Sequence, residues 1–315
     1  MIGMFKESFV YKIFCKIIIW FNKIFSESFF VQKFVKDTND QKVYDETIFS
    51  KILNVIIKWL QKVARKIKLD KLFTNSIFAK PIIWLSITIF LVPFLPTMVD
   101  LALVIVTTMS LFLKVIITPD FKLKYFKSNA WILIFVLVIC ICALTSISLE
   151  ESKNIAMLLS AFILFYFVVI NTIENEKQFK FILYTFIIGA VISALYGLYQ
   201  YKFGDLYSQA WLDSEMFEDI KMRVYSTLEN PNVYGEYLLL VIPIIFALMW
   251  TEKGWLKKLF LLCFLGITVL ALLLTFSRGC WLGIIFAFAI LLIIIDRRFI
   301  SLRNSRAYIT TIYFT

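Results

Sequence analysis

Histidine is absent from all 315 residues of this chain. That removes the commonest general base at neutral pH and the commonest metal ligand. Cysteine is sparse: Cys15, Cys140, Cys142, Cys263 and Cys280 show no paired spacing, which argues against a disulfide framework or a zinc site. Cys140 and Cys142 fall inside an apolar run and read as small packing residues. Charge is scarce too, at 17% of residues, where an ordinary soluble domain has about a quarter. What is present instead is apolar: 61% of the residues are hydrophobic and the mean hydropathy is +0.83. No soluble fold could hide that much apolar surface, so the natural solvent is a bilayer. The expected fold class is all-α, a polytopic membrane helix bundle.

The net charge is +11. In a soluble chain that would suggest nucleic acid. Here it reads as membrane topology and attraction to anionic membrane lipids, and no nucleic-acid partner is expected. Residues 1–79 read as a cytoplasmic or interfacial amphipathic helical region. A signal peptide is not expected, because the apolar stretch 17–21 is too short and Lys12, Lys16 and Lys23 break the surrounding run. Over 48–69, Phe49, Ile52, Leu53, Ile56, Leu60, Val63 and Ile67 recur at three- and four-residue steps. Lys51, Asn54, Lys58, Gln61, Lys62, Arg65 and Lys68 take the other face, the pattern of a helix lying in the headgroup layer. Residues 9–25 are a weaker version, joined to it by a polar linker at 36–46. The other reading is a small cytosolic helical hairpin packed on the membrane domain.

Residues 80–298 form the expected transmembrane domain. Apolar runs at 81–96, 99–117, 130–147, 155–173, 181–201, 233–250, 258–276 and 280–295 are each about long enough to cross some 30 Å of hydrocarbon. Loop charge orients them. One set of loops holds twelve basic residues: Lys122, Lys124, Lys127, Lys177, Lys180, Lys253, Lys257, Lys258, Arg297, Arg298, Arg303 and Arg306. The alternate set holds five: Lys153, Lys202, Lys221, Arg223 and Arg278. Eight spans with both termini inside satisfy every loop. Residues 299–315 are then a short cytoplasmic tail, and the long loop 202–232 and the 277–280 turn lie outside.

Two polar insertions interrupt the apolar chain on that outer side. The first runs Arg223-Val224-Tyr225-Ser226-Thr227-Leu228-Glu229-Asn230-Pro231-Asn232; the second is Ser277-Arg278-Gly279. Asn230-Pro231 reads as a helix start, asparagine as the cap and proline at the first helical position. Free N–H groups and the helix dipole there favour an anion. Arg223 and Arg278 could complete a clamp, since a guanidinium matches phosphate oxygens two at a time. Such a site suits a diphosphate whose lipid tail lies in the bilayer. Each element also has a plainer reading: a cap and turn at Asn230, a solvated loop charge at Arg223, an interfacial snorkelling residue at Arg278. Ser277 and Gly279 shape a tight turn, and Gly279 offers close backbone approach. Gly189 and Gly197 read as helix-packing positions.

These two segments resemble those of the O-antigen ligase and O-antigen polymerase family. The resemblance is carried by Arg223-x-Tyr225-Ser226-Thr227-Leu228-x-Asn230-Pro231-Asn232-x-Tyr234-Gly235 and by Leu274-Thr275-Phe276-Ser277-Arg278-Gly279, within residues 223–295. It implies a multi-span glycosyltransferase of the bacterial cell membrane acting on glycans carried by undecaprenyl diphosphate. Its partners would be that lipid-linked glycan donor, a glycan or lipid acceptor, and polysaccharide-export machinery; no metal or other cofactor is implied. Arg223 and Arg278 would be the catalytic residues, supporting departure of the diphosphate, with Asn230, Asn232, Ser277 and Gly279 binding substrate. The family's acceptor-activating histidine lies in a later outer loop and has no counterpart here; Glu229 and Glu236 are the nearby carboxylates. The expectation is therefore a truncated family member, inactive alone. The competing readings are a lipid or polysaccharide translocator, which should carry ionisable or broken-helix features at the midplane, and a non-catalytic membrane partner.

Overall fold

Without water to bond to, backbone groups in lipid must satisfy one another within their own segment, so apolar runs become helices. In a computed structural model of the chain, the backbone is described for residues 44–119, 121–125, 127–204 and 222–304. The helical expectation for 9–25 and most of the 36–46 linker lie outside these residues. The chain divides into two compact units, 44–288 and a second made of 1–43 with 289–315. The first of these units holds both polar insertions.

Helix α1 (Ile48–Lys66) is capped by Thr47, whose Oγ1 accepts from Ser50 N at 3.2 Å. The periodicity predicts a helix to residue 69, but α1 stops at Lys66. Lys68 adopts a left-handed φ of 57° and a separate short helix, α2 (Leu69–Phe73), begins after it. Helix α3 (Pro81–Leu91) passes into a single 3₁₀ turn at Val92–Phe94, since Pro93 and Pro96 cannot continue a helical ladder. The remaining helices are α4 (Thr97–Ile117), α5 (Lys127–Leu144), α6 (Leu149–Thr172), α7 (Glu176–Phe203), α8 (Pro231–Thr251), α9 (Trp255–Leu274) and α10 (Arg278–Asn304).

Five of these, α4, α6, α7, α8 and α9, are long and apolar enough to cross a membrane. Shorter apolar helices cover 81–94, 131–144 and 278–291. The chain is thus a multi-pass membrane protein, all-helical among the described residues. Two spans begin five or six residues before the apolar runs indicate. Helix α6 starts six residues sooner, its first turn carrying Glu150 and Glu151. Helix α7 starts at Glu176, capped by Asn175 Oδ1 accepting from Gln178 N at 3.0 Å. Hydropathy marks only the part that meets hydrocarbon, whereas the 28 residues of α7 rise about 42 Å, more than the roughly 30 Å of the hydrocarbon core.

Helix α7 is the hub, packing on α3, α8 and α9. It can do so because it presents Gly189, Ala190, Ser193, Ala194 and Gly197 where backbones approach. A Cβ on Gly189 would lie 3.1 Å from the Phe90 carbonyl oxygen of α3. Ile187, Ala190 and Val191 pack with Val241, Ile245 and Leu248 of α8 and with Leu261 of α9. Helix α5 is peripheral, its Trp131, Leu133, Ile134 and Phe135 all exposed, the surface expected of a helix facing lipid.

Candidate functional site

The first polar segment enters between α7 and α9 and is held by backbone as well as side chains. Val224 N donates to Leu274 O at 2.9 Å, and the Val224 side chain is fully buried among Ala194, Tyr234, Leu238, Ala271 and Leu272. Gly197 makes the room: a Cβ there would come within 2.8 Å of Val224 Cγ1. Beside it, Gln200 Oε1 accepts from Tyr225 N at 3.3 Å and Ser226 N at 3.0 Å. Ser226 Oγ donates to Ser193 O at 2.6 Å and lies 3.0 Å from Ser193 Oγ. This polar network gives the loop's Tyr225 and Ser226 N–H groups partners where the backbone lies against a helix.

The segment then turns through Tyr225–Leu228, with Leu228 N donating to Tyr225 O at 3.2 Å. At its end Asn230 caps α8: its Oδ1 accepts from Asn232 N at 2.8 Å and Val233 N at 3.4 Å, and Pro231 takes the first helical position. The predicted helix start is therefore present, and the asparagine side chain is occupied in making it.

Arg223 is half-buried and bridges two helix ends. Its Nε donates to Thr275 O at 2.9 Å, just past the end of α9, and its Nη2 donates to Asn232 Oδ1 at 2.8 Å in the first turn of α8. Burial lowers its pKa from the ordinary arginine value, though a guanidinium remains charged throughout the physiological range.

The second segment turns sharply. Phe276 takes a left-handed φ of 50°, and Ser277 O accepts the first α10 bond from Trp281 N at 3.1 Å. Ser277 is buried; its Oγ donates to Cys280 Sγ at 3.2 Å. Cys280 Sγ in turn lies 3.8 Å from Asn232 O. A Cβ on Gly235 would sit 2.7 Å from that sulfur, so the first turns of α8 and α10 abut. Arg278 is exposed at the head of α10, three residues after the carbonyl that receives Arg223.

Two insertions about fifty residues apart thus meet at one place, where two helix N-termini lie side by side with an arginine on each segment. The six candidate residues differ in placement. Arg223, Asn230 and Asn232 form one bonded unit. Ser277 faces inward, onto Cys280. Gly279 is exposed, with open space where a Cβ would be. Gly189 packs against α3, whereas Gly197 packs against Val224 and Ser226 of the loop and against Tyr234 of α8. Sequence reasoning missed Ser193, Gln200, Thr275 and Cys280. The small-residue spacing Gly189, Ser193, Gly197 was the available signal for the first.

Three of the four non-glycine residues with positive φ among the described residues, Ser226, Glu229 and Phe276, belong to these two segments. Such conformations persist where surrounding structure over-determines them, and they cluster at functional sites. Among the described residues no group of histidine, cysteine, aspartate or glutamate could hold a metal ion. Compared with known proteins, the chain matches no family model, no curated protein and no solved structure.

Proposed function

We propose that this protein takes part in transfer or polymerisation of oligosaccharide carried on undecaprenyl diphosphate, at the outer face of the bacterial cell membrane, in surface-polysaccharide synthesis. The observation that carries the reading is the meeting of Arg223 and the α8 N-terminus with the segment that bears Arg278. Eight spans with both termini inside put this meeting point on the outer side. The diphosphate would sit against Arg278, with the lipid tail among the exposed apolar helix faces. The first N–H groups of α8 are already bonded to Asn230, so α8 would add only the field of its dipole rather than the free donors expected from the sequence.

In the transfer, an acceptor hydroxyl oxygen forms the new bond to the sugar's anomeric carbon as that carbon's bond to the diphosphate oxygen breaks. Undecaprenyl diphosphate leaves with the electron pair, and the proton lost from the acceptor hydroxyl passes, directly or through water, to the departing diphosphate. Fixed positive charge at the departing oxygens lowers that barrier without a covalent intermediate. Arg223 is suited to hold the two helix ends in register, and Arg278, being exposed, to meet the phosphate oxygens directly. In the cell that makes this chain, Arg278→Lys should cause lipid-linked oligosaccharide to accumulate while surface polysaccharide falls. Unchanged surface polysaccharide, with the variant present in the membrane at normal level, would refute the reading.

A further inference from the structure

The sequence pattern gives α1 two faces; the folded chain gives it three. Successive helical side chains are set about 100° apart. One arc, Ser50, Ile57, Gln61 and Ala64, is buried. A second, Ile52, Ile56, Trp59 and Val63, is apolar yet exposed, Trp59 to 61%. The third, Lys51, Lys58, Lys62 and Arg65, is cationic and exposed.

The buried arc docks on the end of α4. Ile57 packs with Leu111 and Val115 of α4 and Val168 of α6. Gln61, only 3% exposed, donates both amide hydrogens, to Val115 O and Thr118 O, each at 2.9 Å. Carbonyls in a helix's last turn have no partner within the helix, so Gln61 supplies α4 with a side-chain cap from another element. The 21 residues of α4 rise about 31 Å, the thickness of the hydrocarbon core. Its last turn therefore stands at the headgroup boundary, and α1 is fixed at that level.

We propose that α1 is a membrane-surface collar, held to the end of α4 by Gln61, with its apolar arc in the acyl boundary and its cationic arc on anionic phospholipid headgroups. A bilayer surface is the occupant that fits both outer arcs at once. A second protein copy on the apolar arc would leave the cations unanswered, whereas an apolar strip flanked by lysines is the pattern of interfacial helices. Gln61 is a positioning residue: it fixes depth and rotation so that the correct arc meets lipid.

The test uses the full chain in nanodiscs of phosphatidylcholine with phosphatidylglycerol, its cysteines replaced by alanine. Single cysteines carrying spin labels replace Ile52, Ile56 and Trp59, then Lys58, Lys62 and Arg65, then Ile57 and Ala64. Labels on the apolar arc should collide with oxygen, those on the cationic arc with a water-soluble nickel chelate, and those on the docked arc with neither. Apolar-arc labels shielded from both agents would mean that protein covers the arc, and would overturn the proposal, as would labels reached by the chelate. Gln61→Leu should abolish shielding at 57 and 64; persistent shielding there would overturn the role of Gln61. Hydrogen exchange on the unsubstituted chain provides a check free of folding effects. The α1 amides should exchange more slowly in the anionic discs than in pure phosphatidylcholine, and equal rates would overturn the headgroup contact.

Discussion

Gly235 is where the two polar segments are brought into contact, and a single methyl group there tests that geometry. An alanine Cβ would lie 2.7 Å from Cys280 Sγ, 3.2 Å from Cys280 Cβ and 3.5 Å from Thr275 Oγ1. Relaxed non-bonded contact needs about 3.5–4.0 Å, so the first turns of α8 and α10 must part by roughly 1 Å. Overpacking of this kind costs about 1–3 kcal/mol, offset by up to about 1 kcal/mol from alanine's better helix propensity. Gly235→Ala should therefore destabilise by about 0–3 kcal/mol, a range too wide to be decisive alone. The coupling with Cys280 is sharper. Cys280→Ala removes the sulfur responsible for the closest contact, so Gly235→Ala should cost much less in that background. A double-mutant cycle read by thermal unfolding in detergent, followed by tryptophan fluorescence, should give a favourable coupling of about 1–3 kcal/mol, within the range for residues in contact. Additivity to within about 0.5 kcal/mol, the behaviour of distant sites, would refute the packing of α8 on α10 and with it the shared site.

The same contacts set further expectations. Asn230→Ala removes the cap bonds to Asn232 N and Val233 N and should cost about 1 kcal/mol, with Asn230→Asp retaining most of it in the same melt. Arg223→Lys cannot bond both Thr275 O and Asn232 Oδ1 as the guanidinium does; losing a charged hydrogen bond should cost about 1.5–3 kcal/mol. The exposed Arg278 changed to lysine keeps its charge and should cost less in the same melt than Arg223→Lys, which loses two bonds between helix ends. Glu229 is exposed at φ 58°, so Glu229→Gly should be neutral or stabilising by up to about 1 kcal/mol; a clear loss of stability would show that its side chain has a structural role.

Much of this architecture is legible in the chain because lipid imposes a simple rule: long apolar runs must be helices. The α8 start was legible because capping chemistry is local, needing only Asn230 and Pro231 side by side. The starts of α6 and α7 were not, since Glu150, Glu151 and Glu176 lie in polar first turns that an apolar run does not mark. Nor was the break at Lys68, a lysine in a conformation that no local preference requires. At the site, the arginines stand out as polar residues in apolar surroundings, but their supports do not. Gln200, Ser193 and the Thr275 carbonyl act across 25 to 52 residues of sequence, and only folding brings them together. Ser277 shows the converse: its motif position suggests ligand contact, while its hydroxyl is spent on Cys280.

Binding of an isoprenoid diphosphate by the full chain in nanodiscs bears most directly on the proposed site. Undecaprenyl diphosphate should bind more tightly than the monophosphate. Arg278→Lys should weaken the diphosphate by about tenfold, the loss of one charge-assisted hydrogen bond of about 1.5 kcal/mol. Equal affinity for the two lipids, or a diphosphate affinity indifferent to Arg278, would contradict it.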